Sequence, residues 1–467
     1  MIDRVRHVPA VFRDVKMAPP ALLPLGLLLL VPLGGIVALG DLRQHLPLFV
    51  LYFFAAWVVY LAAVWLVCRG DEAGSRAHLF TILAIALLAR LFMVSAAPTL
   101  SDDLYRYVWE ATVLTHGLSP YAFSPDAPVL IPLRDAIWTH VNNRGVPSPY
   151  PPLAQLTGIA GVLLFPESTL GPKVFATIYD LLTTAVLCFL LARERLPLRR
   201  VLVYAWSPLV LIEFPLSGHN DAMMLFLLLA ALLVGYRRPV WAGVILGLAA
   251  LVKITPLLAL PLVWRRWGVL PAMVAGLLFV VSYAPVLLLG GALGSLPRYL
   301  VTFADNDSIH AVIREGVALN NPARAGGVAK IITFGLLLLG IGTIAVLPRY
   351  RQRPLWWQVY TLLALSLLLS STVHAWYVVW LLPFVTLTLR STGVPGVFRP
   401  YPSYAWLLFS GLVVLPYLTY WDYQWHLWIS LVEYVPLYLL FIASVVPPRT
   451  KGGHLWPRSS HGPDSQH

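Results

Sequence analysis

Apolar runs about as long as a membrane-crossing helix recur from one end of this chain to the other, separated by short segments that hold Arg. A helix needs about 20 apolar residues to cross a bilayer, and a water-exposed fold has no way to bury so many such runs at once. The composition agrees. Of 467 residues, 59% are hydrophobic and 12% are charged, against about 25% charged in a soluble domain. A soluble globular domain, a disordered chain, a collagen-like chain and a disulfide scaffold are thereby excluded. The two cysteines, Cys68 and Cys188, lie inside apolar stretches and read as buried thiols. The net charge of +12 is no nucleic-acid footprint, because the basic residues punctuate the apolar runs instead of gathering on one polar face. Membrane lipid is the expected surrounding, and no nucleic-acid partner is expected.

Spanning segments are expected near 21–40, 47–68, 79–97, 172–192, 201–216, 220–235, 239–252, 255–264, 268–290, 329–347, 355–372, 376–389, 404–420 and 427–446. The fold class is therefore an all-α integral membrane protein, a single multi-spanning helical bundle over 1–446 with about 12–14 transmembrane helices. A basic cytoplasmic tail over 447–467 is expected to be disordered. Arg4, Arg6, Arg13 and Lys16 resemble a signal-peptide n-region, but the run after them exceeds an h-region and another span follows at once, so an uncleaved helix is expected.

Cytoplasmic loops concentrate Lys and Arg. With both termini in the cytoplasm of a plasma-membrane protein, the inner segments hold 22 of the 33 basic residues, among them Arg193 to Arg200, Arg237-Arg238, Arg265-Arg266 and Arg349 to Arg353. Two local expectations follow. Lys253-Ile254-Thr255-Pro256 becomes the outer tip of a short hairpin, and 150–166 an outer, partly embedded helix. Two long outer loops remain, 98–150 and 291–328, and unstructured loops beyond about 12–15 residues are usually functional or disordered. The first is too aromatic to be disordered.

That loop opens with Ser101-Asp102-Asp103-Leu104-Tyr105-Arg106-Tyr107-Val108-Trp109-Glu110. Ser101 reads as an N-cap with two acids in the first turn, where the helix dipole favours negative charge. Asp102 stands four residues before Arg106, and Asp103 three and four before Arg106 and Tyr107. Neighbouring carboxylates point about 100° apart on a helix, so the two acids face different partners. The same pattern also describes a well-capped interfacial helix with an aromatic belt.

Residues 100–155 resemble the first outer loop of GT-C glycosyltransferases, and within them the mannosyltransferase-like glycosyltransferase family 87. The resemblance rests on Ser101-Asp102-Asp103 with Tyr105-Arg106-Tyr107 and Trp109, then Gly117 with Pro120-Tyr121, then Leu133-Arg134-Asp135, then Tyr150-Pro151-Pro152-Leu153-Ala154-Gln155. The chain departs from the family pattern at Glu110-Ala111, where Asp-Gly is usual, and at Ser119, where Asn is usual. Gly218-His219-Asn220-Asp221, the Lys253 tip and His374-Ala375-Trp376-Tyr377 fit the same resemblance, and Arg counting places all three at outer helix ends.

The resemblance implies transfer of a hexose, with mannose the expected sugar, from a polyprenyl phosphate to a glycan or lipid acceptor on the outer face, inverting the donor configuration. The base it implies is an early acid of the loop, Asp102 with Asp103 as the alternative. Lys253, His374 and Arg106 are the expected phosphate partners. Tyr107, Glu110, Tyr150, His219, Asp221, Tyr377 and the intramembrane Arg90 are further expected substrate contacts. In the second long loop Asp305-Asn306-Asp307 and Arg314-Glu315 are candidate acceptor contacts, but their spacing matches no metal loop and no role is assigned to them. No metal or other cofactor is assigned. Blander readings stand beside these: snorkelling for Lys253, a helix-end position for His374, an N-cap for Asn220, a pairing with a loop acid for Arg90, and structural polar pairs for Asp180 and Glu213. The same scheme with arabinofuranose or glucose is one rival. A lipid-sugar flippase or secondary transporter is another, although transporters gather charge at the midplane between repeats and here it gathers in one acidic outer loop.

Overall fold

The computed structural model describes residues 22–69, 75–288, 295, 303–389 and 402–445. The basic N-terminal segment, the 447–467 tail, most of 289–302 and the segment 390–401 with Arg390 and Arg399, expected on the inner side, lie outside the described residues. Among the described residues the chain is helical with no strand. An isolated parallel bridge joins Asp305 to Thr372.

Seven helices are long and apolar enough to cross a membrane, as an integral membrane protein requires. One further pair, Pro208–Leu216 and Asp221–Val234, passes the same test but is bent by 115°. Five shorter apolar helices complete the bundle: Leu22–Ala38, Pro152–Leu164, Pro239–Ala250, Leu355–Leu369 and Ala375–Thr388. Val269–Leu288 exposes Met273, Leu277, Val280, Val281 and Leu288, an apolar face suited to lipid because its backbone groups are satisfied within the helix.

The helices that matter below are α1 (Leu22–Ala38), α2 (Leu46–Arg69), α3 (Ser75–Ser95), α4 (Asp103–Thr115), α5 (Pro152–Leu164) and α6 (Leu170–Arg193). The first packs on both α2 and α3, and α4 packs on α5. α5 crosses α6 at very close range: a Cβ on Gly171 would stand 2.6 Å from the Gly161 carbonyl oxygen, the small-residue contact that membrane helices use in place of a hydrophobic driving force.

The segment 201–216 departs from the single span expected of it. It forms a 3-10 turn, two short α-helical pieces and a π turn over Ile212–Leu216, and every residue from Val201 to His219 is buried. Pro208 and Pro215 explain the breaks, since each lacks a backbone donor and clashes with the preceding turn. The 115° bend then sends the chain back as Asp221–Val234. The Lys253 tip is a turn, as expected, between Pro239–Ala250 and a 3-10 turn over Thr255–Ala259 that leads into Leu260–Trp267. The helix expected over 150–166 forms over Pro152–Leu164 and exposes Leu156, Leu163 and Leu164. Cys68 and Cys188 are free and half-buried, not fully buried as the sequence suggested.

Candidate active site

The first turn of α4 sets the geometry. Asp102 occupies the N-cap position, one residue later than expected, yet the Ser101 hydroxyl still accepts from the Asp103 backbone N–H at 3.3 Å. The two acids face different partners, as their angular separation requires. Asp102 accepts from Arg43 Nη2 at 2.7 Å, and that guanidinium lies 4.3 Å from the centre of the Tyr420 ring. Asp103 accepts from Asn142 Nδ2 at 3.0 Å, and its charge bears on the titration of Tyr107, Tyr150 and His374.

Arg106 does not pair with Asp102. Its Nε donates to Glu110 Oε1 at 2.6 Å, Nη1 to the Asn142 and Asn143 carbonyls at 3.3 Å, and Nη2 to the Val146 carbonyl at 2.5 Å. The second Glu110 oxygen accepts from Ser148 Oγ at 2.6 Å and Gln155 Nε2 at 2.5 Å. Both side chains are buried. This pair ties the end of the loop over 98–150 to α4, because buried charges demand a full set of partners. Arg90 is likewise consumed. It pairs with Asp180 in a fork, Nε at 2.7 Å and Nη2 at 3.0 Å, while Nη1 donates to the Ala86 and Ala205 carbonyls. The structural polar pair expected of Asp180 is this one, and the partner of Arg90 is a mid-helix acid, not the loop acid expected.

Lys253, like Arg43, is a cation that the fold leaves partly open. Both oxygens of Asp221 hold its Nζ, at 2.7 and 2.8 Å, and the Trp380 indole donates to the same carboxylate at 2.8 Å. The Lys253 side chain is 23% exposed and that of Asp221 only 1%. Asp221 is thus the buried partner that holds the lysine in place. The Tyr377 ring lies 4.4 Å from Nζ and the Trp380 ring 5.3 Å, so the ammonium faces two aromatic walls, each attractive to a cation.

His374 completes the cluster from the turn before Ala375–Val379. Its ring stacks on Trp376 at 4.4 Å, and Trp376 stacks in turn on His219 at 4.0 Å. Burial first, then Lys253 and His219, push the His374 imidazole down to about 4 against the opposing pull of Asp103. With 21% of its side chain exposed, it remains open to a ligand. Asp305 Oδ2 lies 4.0 Å away, fixed by backbone bonds from Asp305 N to Ser371 O at 2.9 Å and from Val373 N to Asp305 O at 3.0 Å. Burial, with Asp307 adding, raises the Asp305 carboxyl. Tyr107 and Tyr150 meet edge to face at 4.9 Å, and burial followed by the Asp103 charge raises both hydroxyls well above the usual value.

Of the residues singled out in the sequence, Lys253, His374 and Tyr377 therefore come together, Tyr107 and Tyr150 meet each other, and Asp103 is tied to the His374 side through Ser101, His219 and Trp376. Arg90, Arg106, Glu110 and Asp221 hold structure around them, and His219 is fully buried behind Trp376. Sequence reasoning passed over Arg43 and Trp380. Arg43 carried a signal, a basic residue at an end where the charge pattern expects few. Asp305 was noticed in the second long loop but given no role, because its approach to His374 is made by backbone pairing far along the chain. Beside Asp305, a cavity of about 750 Å³ lies between Ile309–Ala318 and Leu427–Val445, with Asn306, Trp425 and Tyr434 in its wall. Among the described residues no group of three or more His, Cys, Asp or Glu side chains is placed to hold a metal, so none is assigned to one.

Comparison with known proteins adds the family. Over 287 residues the chain is 26% identical to Alpha-(1->6)-mannopyranosyltransferase A of Mycobacterium tuberculosis, a match that covers 56% of this chain and 54% of the relative. The chain thus spans about half the length of the curated relative it matches. No solved structure matches. The family model described as Alpha-(1->6)-mannopyranosyltransferase, N-terminal domain, matches residues 33–269, a stretch that contains Asp103, Asp221 and Lys253 and ends before His374. With half of its length under that model, the chain belongs to the alpha-(1->6)-mannopyranosyltransferase family.

Proposed function

We propose that this chain is a membrane glycosyltransferase that moves mannose from a polyprenyl phosphate to a hydroxyl of a glycan or lipid acceptor on the outer face, with inversion at the anomeric carbon. The observation that supports the reading is that a partly open cation, Lys253, and His374 share the Tyr377 ring, at 4.4 and 5.2 Å, while the turn that carries Asp103 connects through Ser101 and His219 to Trp376, on which His374 stacks. In the proposed reaction the acceptor oxygen attacks the anomeric carbon while Asp103 takes its proton. The bond from that carbon to the phosphate oxygen breaks, and the phosphate leaves with the electron pair toward Lys253 and His374. Inversion needs one base and no covalent enzyme intermediate. Geometry favours Asp103 over Asp102 as that base, since Asp102 is engaged by Arg43.

The donor follows from where the cation sits. A lipid phosphate keeps its tail in the bilayer, where each buried CH₂ contributes about 0.8 kcal/mol, while its head reaches the turn that carries Lys253. Purified full-length protein in lipid nanodiscs is expected to transfer label from polyprenyl phosphate mannose and none from GDP-mannose. Efficient transfer from GDP-mannose without a lipid carrier would sink the donor assignment.

A further inference from the structure

Three buried polar side chains behind the proposed base form one chain of contacts. His219 Nδ1 donates to the Glu213 backbone carbonyl at 3.1 Å and also lies 3.1 Å from Glu213 Oε2. In a neutral imidazole this leaves Nε2 as the acceptor, and Nε2 stands 3.1 Å from Ser101 Oγ. Ser101 Oγ accepts in turn from the Asp103 backbone N–H at 3.3 Å. At the far end Glu213 Oε1 accepts from the Tyr417 hydroxyl at 2.9 Å. Glu213 and His219 have no exposed surface and Ser101 is 4% exposed.

We propose that His219, oriented by Glu213 and acting through Ser101, is a positioning residue that fixes the first turn of α4 and so aims the Asp103 carboxylate at the acceptor. Geometry speaks against two simpler readings. The order serine, histidine, acid suggests a nucleophile, but Ser101 Oγ is buried and already accepts from an amide, so no substrate carbon reaches it. Core filling alone would call for an apolar side chain, since a carboxylate without exposed surface is costly unless it is paired and hydrogen-bonded. Here it is Glu213, in the π turn, that meets both His219 and Tyr417, and π turns gather at functional sites. The amide it serves, through two intermediates, is the first of α4, a group that has no acceptor within its own helix. The same imidazole stacks on Trp376 and through it on His374, so one ring braces both the acid and the phosphate side of the site.

This inference rests on the reading of Asp103 as the base, and two measurements on full-length protein in nanodiscs separate the two. The first is steady-state transfer from polyprenyl phosphate mannose. Ser101→Ala and His219→Phe are each expected to lower kcat by about 10²-fold, the cost of a misplaced reacting group, with the donor KM within about twofold. Ser101→Thr, which keeps the hydroxyl, should restore most of kcat. Because the two residues act in series, the double variant should be no slower than the slower single one. Unchanged kcat in either single variant, or losses that multiply in the double, would overturn the relay. The second measurement is hydrogen exchange at the Asp103 amide, which needs no turnover. Exchange at least about tenfold faster in both variants than in the parent upholds the relay even if the parent proves inert with the lipid donor. Equal exchange overturns it, whatever the activity.

Discussion

Asp221 grips Lys253 with both carboxylate oxygens, at 2.7 and 2.8 Å, yet the two partners meet solvent very differently, the acid at 1% and the lysine at 23% exposure. The acid is sealed from the front by the lysine it holds and by the Trp380 indole. An anion arriving from outside therefore meets the ammonium, and the carboxylate sets where that ammonium stands.

Lys253→Met should accordingly do two separable things. It removes the cation that faces the donor phosphate, and it leaves Asp221 buried with the Trp380 N–H as its remaining donor. Breaking a wholly buried pair costs roughly 3–5 kcal/mol, and the partial exposure of Lys253 brings the expected loss below that range. Adding Asp221→Asn relieves the unpaired charge, so the double variant should regain most of the melting temperature while transfer stays abolished. Recovery of transfer together with stability would show that Lys253 serves the fold alone.

The two adjacent acids should separate cleanly. Asp103→Asn deletes the proton acceptor at nearly constant shape, and loss of a general base typically costs 10²- to 10⁴-fold in rate. Asp102→Asn breaks the contact with Arg43, a pair whose side chains are 34% and 25% exposed, for which about 0–1 kcal/mol is usual. Its rate should stay within about tenfold of the parent. The reverse order in single-turnover assays would return the role of base to Asp102.

His374 gives the site a pH signature. Its imidazole is held down to about 4, whereas an unfolded histidine titrates near 6.5. Between these values the unfolded chain binds a proton that the folded chain does not, so stability rises with pH across the window. The contribution is complete above about 6.5 and is lost as pH falls toward 4. Thermal unfolding in nanodiscs should fall more steeply over that window in the parent than in His374→Phe. A bound phosphate favours the charged ring, so a lipid phosphate should move the histidine proton resonance in the opposite direction, toward protonation at neutral pH.

How much of this was legible in the sequence depends on the range of the interaction. The all-helical membrane fold follows from the length of the apolar runs, and the Lys253 turn from Pro256 and the flanking Arg pairs. The outer loop was legible as a place, because Ser101, Asp102 and Asp103 form a local helix start. The partners were not. Helical spacing suggested Asp102 with Arg106, but Arg43 and Glu110 hold these two instead, since a buried arginine goes where it finds acceptors for every N–H. Nor does periodicity distinguish a span from the fully buried 201–216 segment, because an apolar helix looks the same to lipid and to protein. The proximity of Asp305 to His374 comes from two backbone hydrogen bonds, which leave no trace in side-chain pattern.

Gly218 makes the last prediction, for it is where the turn with His219 and Asp221 leans on the start of α4. Its φ is +70°, a region that costs other L residues about 1–2 kcal/mol. A Cβ there would also stand 2.5 Å from Leu104 Cδ1 and 3.2 Å from Lys173 Cγ. Gly218→Ala should therefore lower the melting temperature and displace Leu104, the residue after Asp103, so that the fraction still folded turns over slowly. Leu104→Ala in the same chain opens the space but leaves the backbone penalty, and it should restore part of the rate with little of the stability. If Gly218→Ala instead folds and transfers mannose like the parent, close seating of this turn against α4 is not what aligns the acid, and Asp103 must be held by Asn142 and the rest of the outer loop.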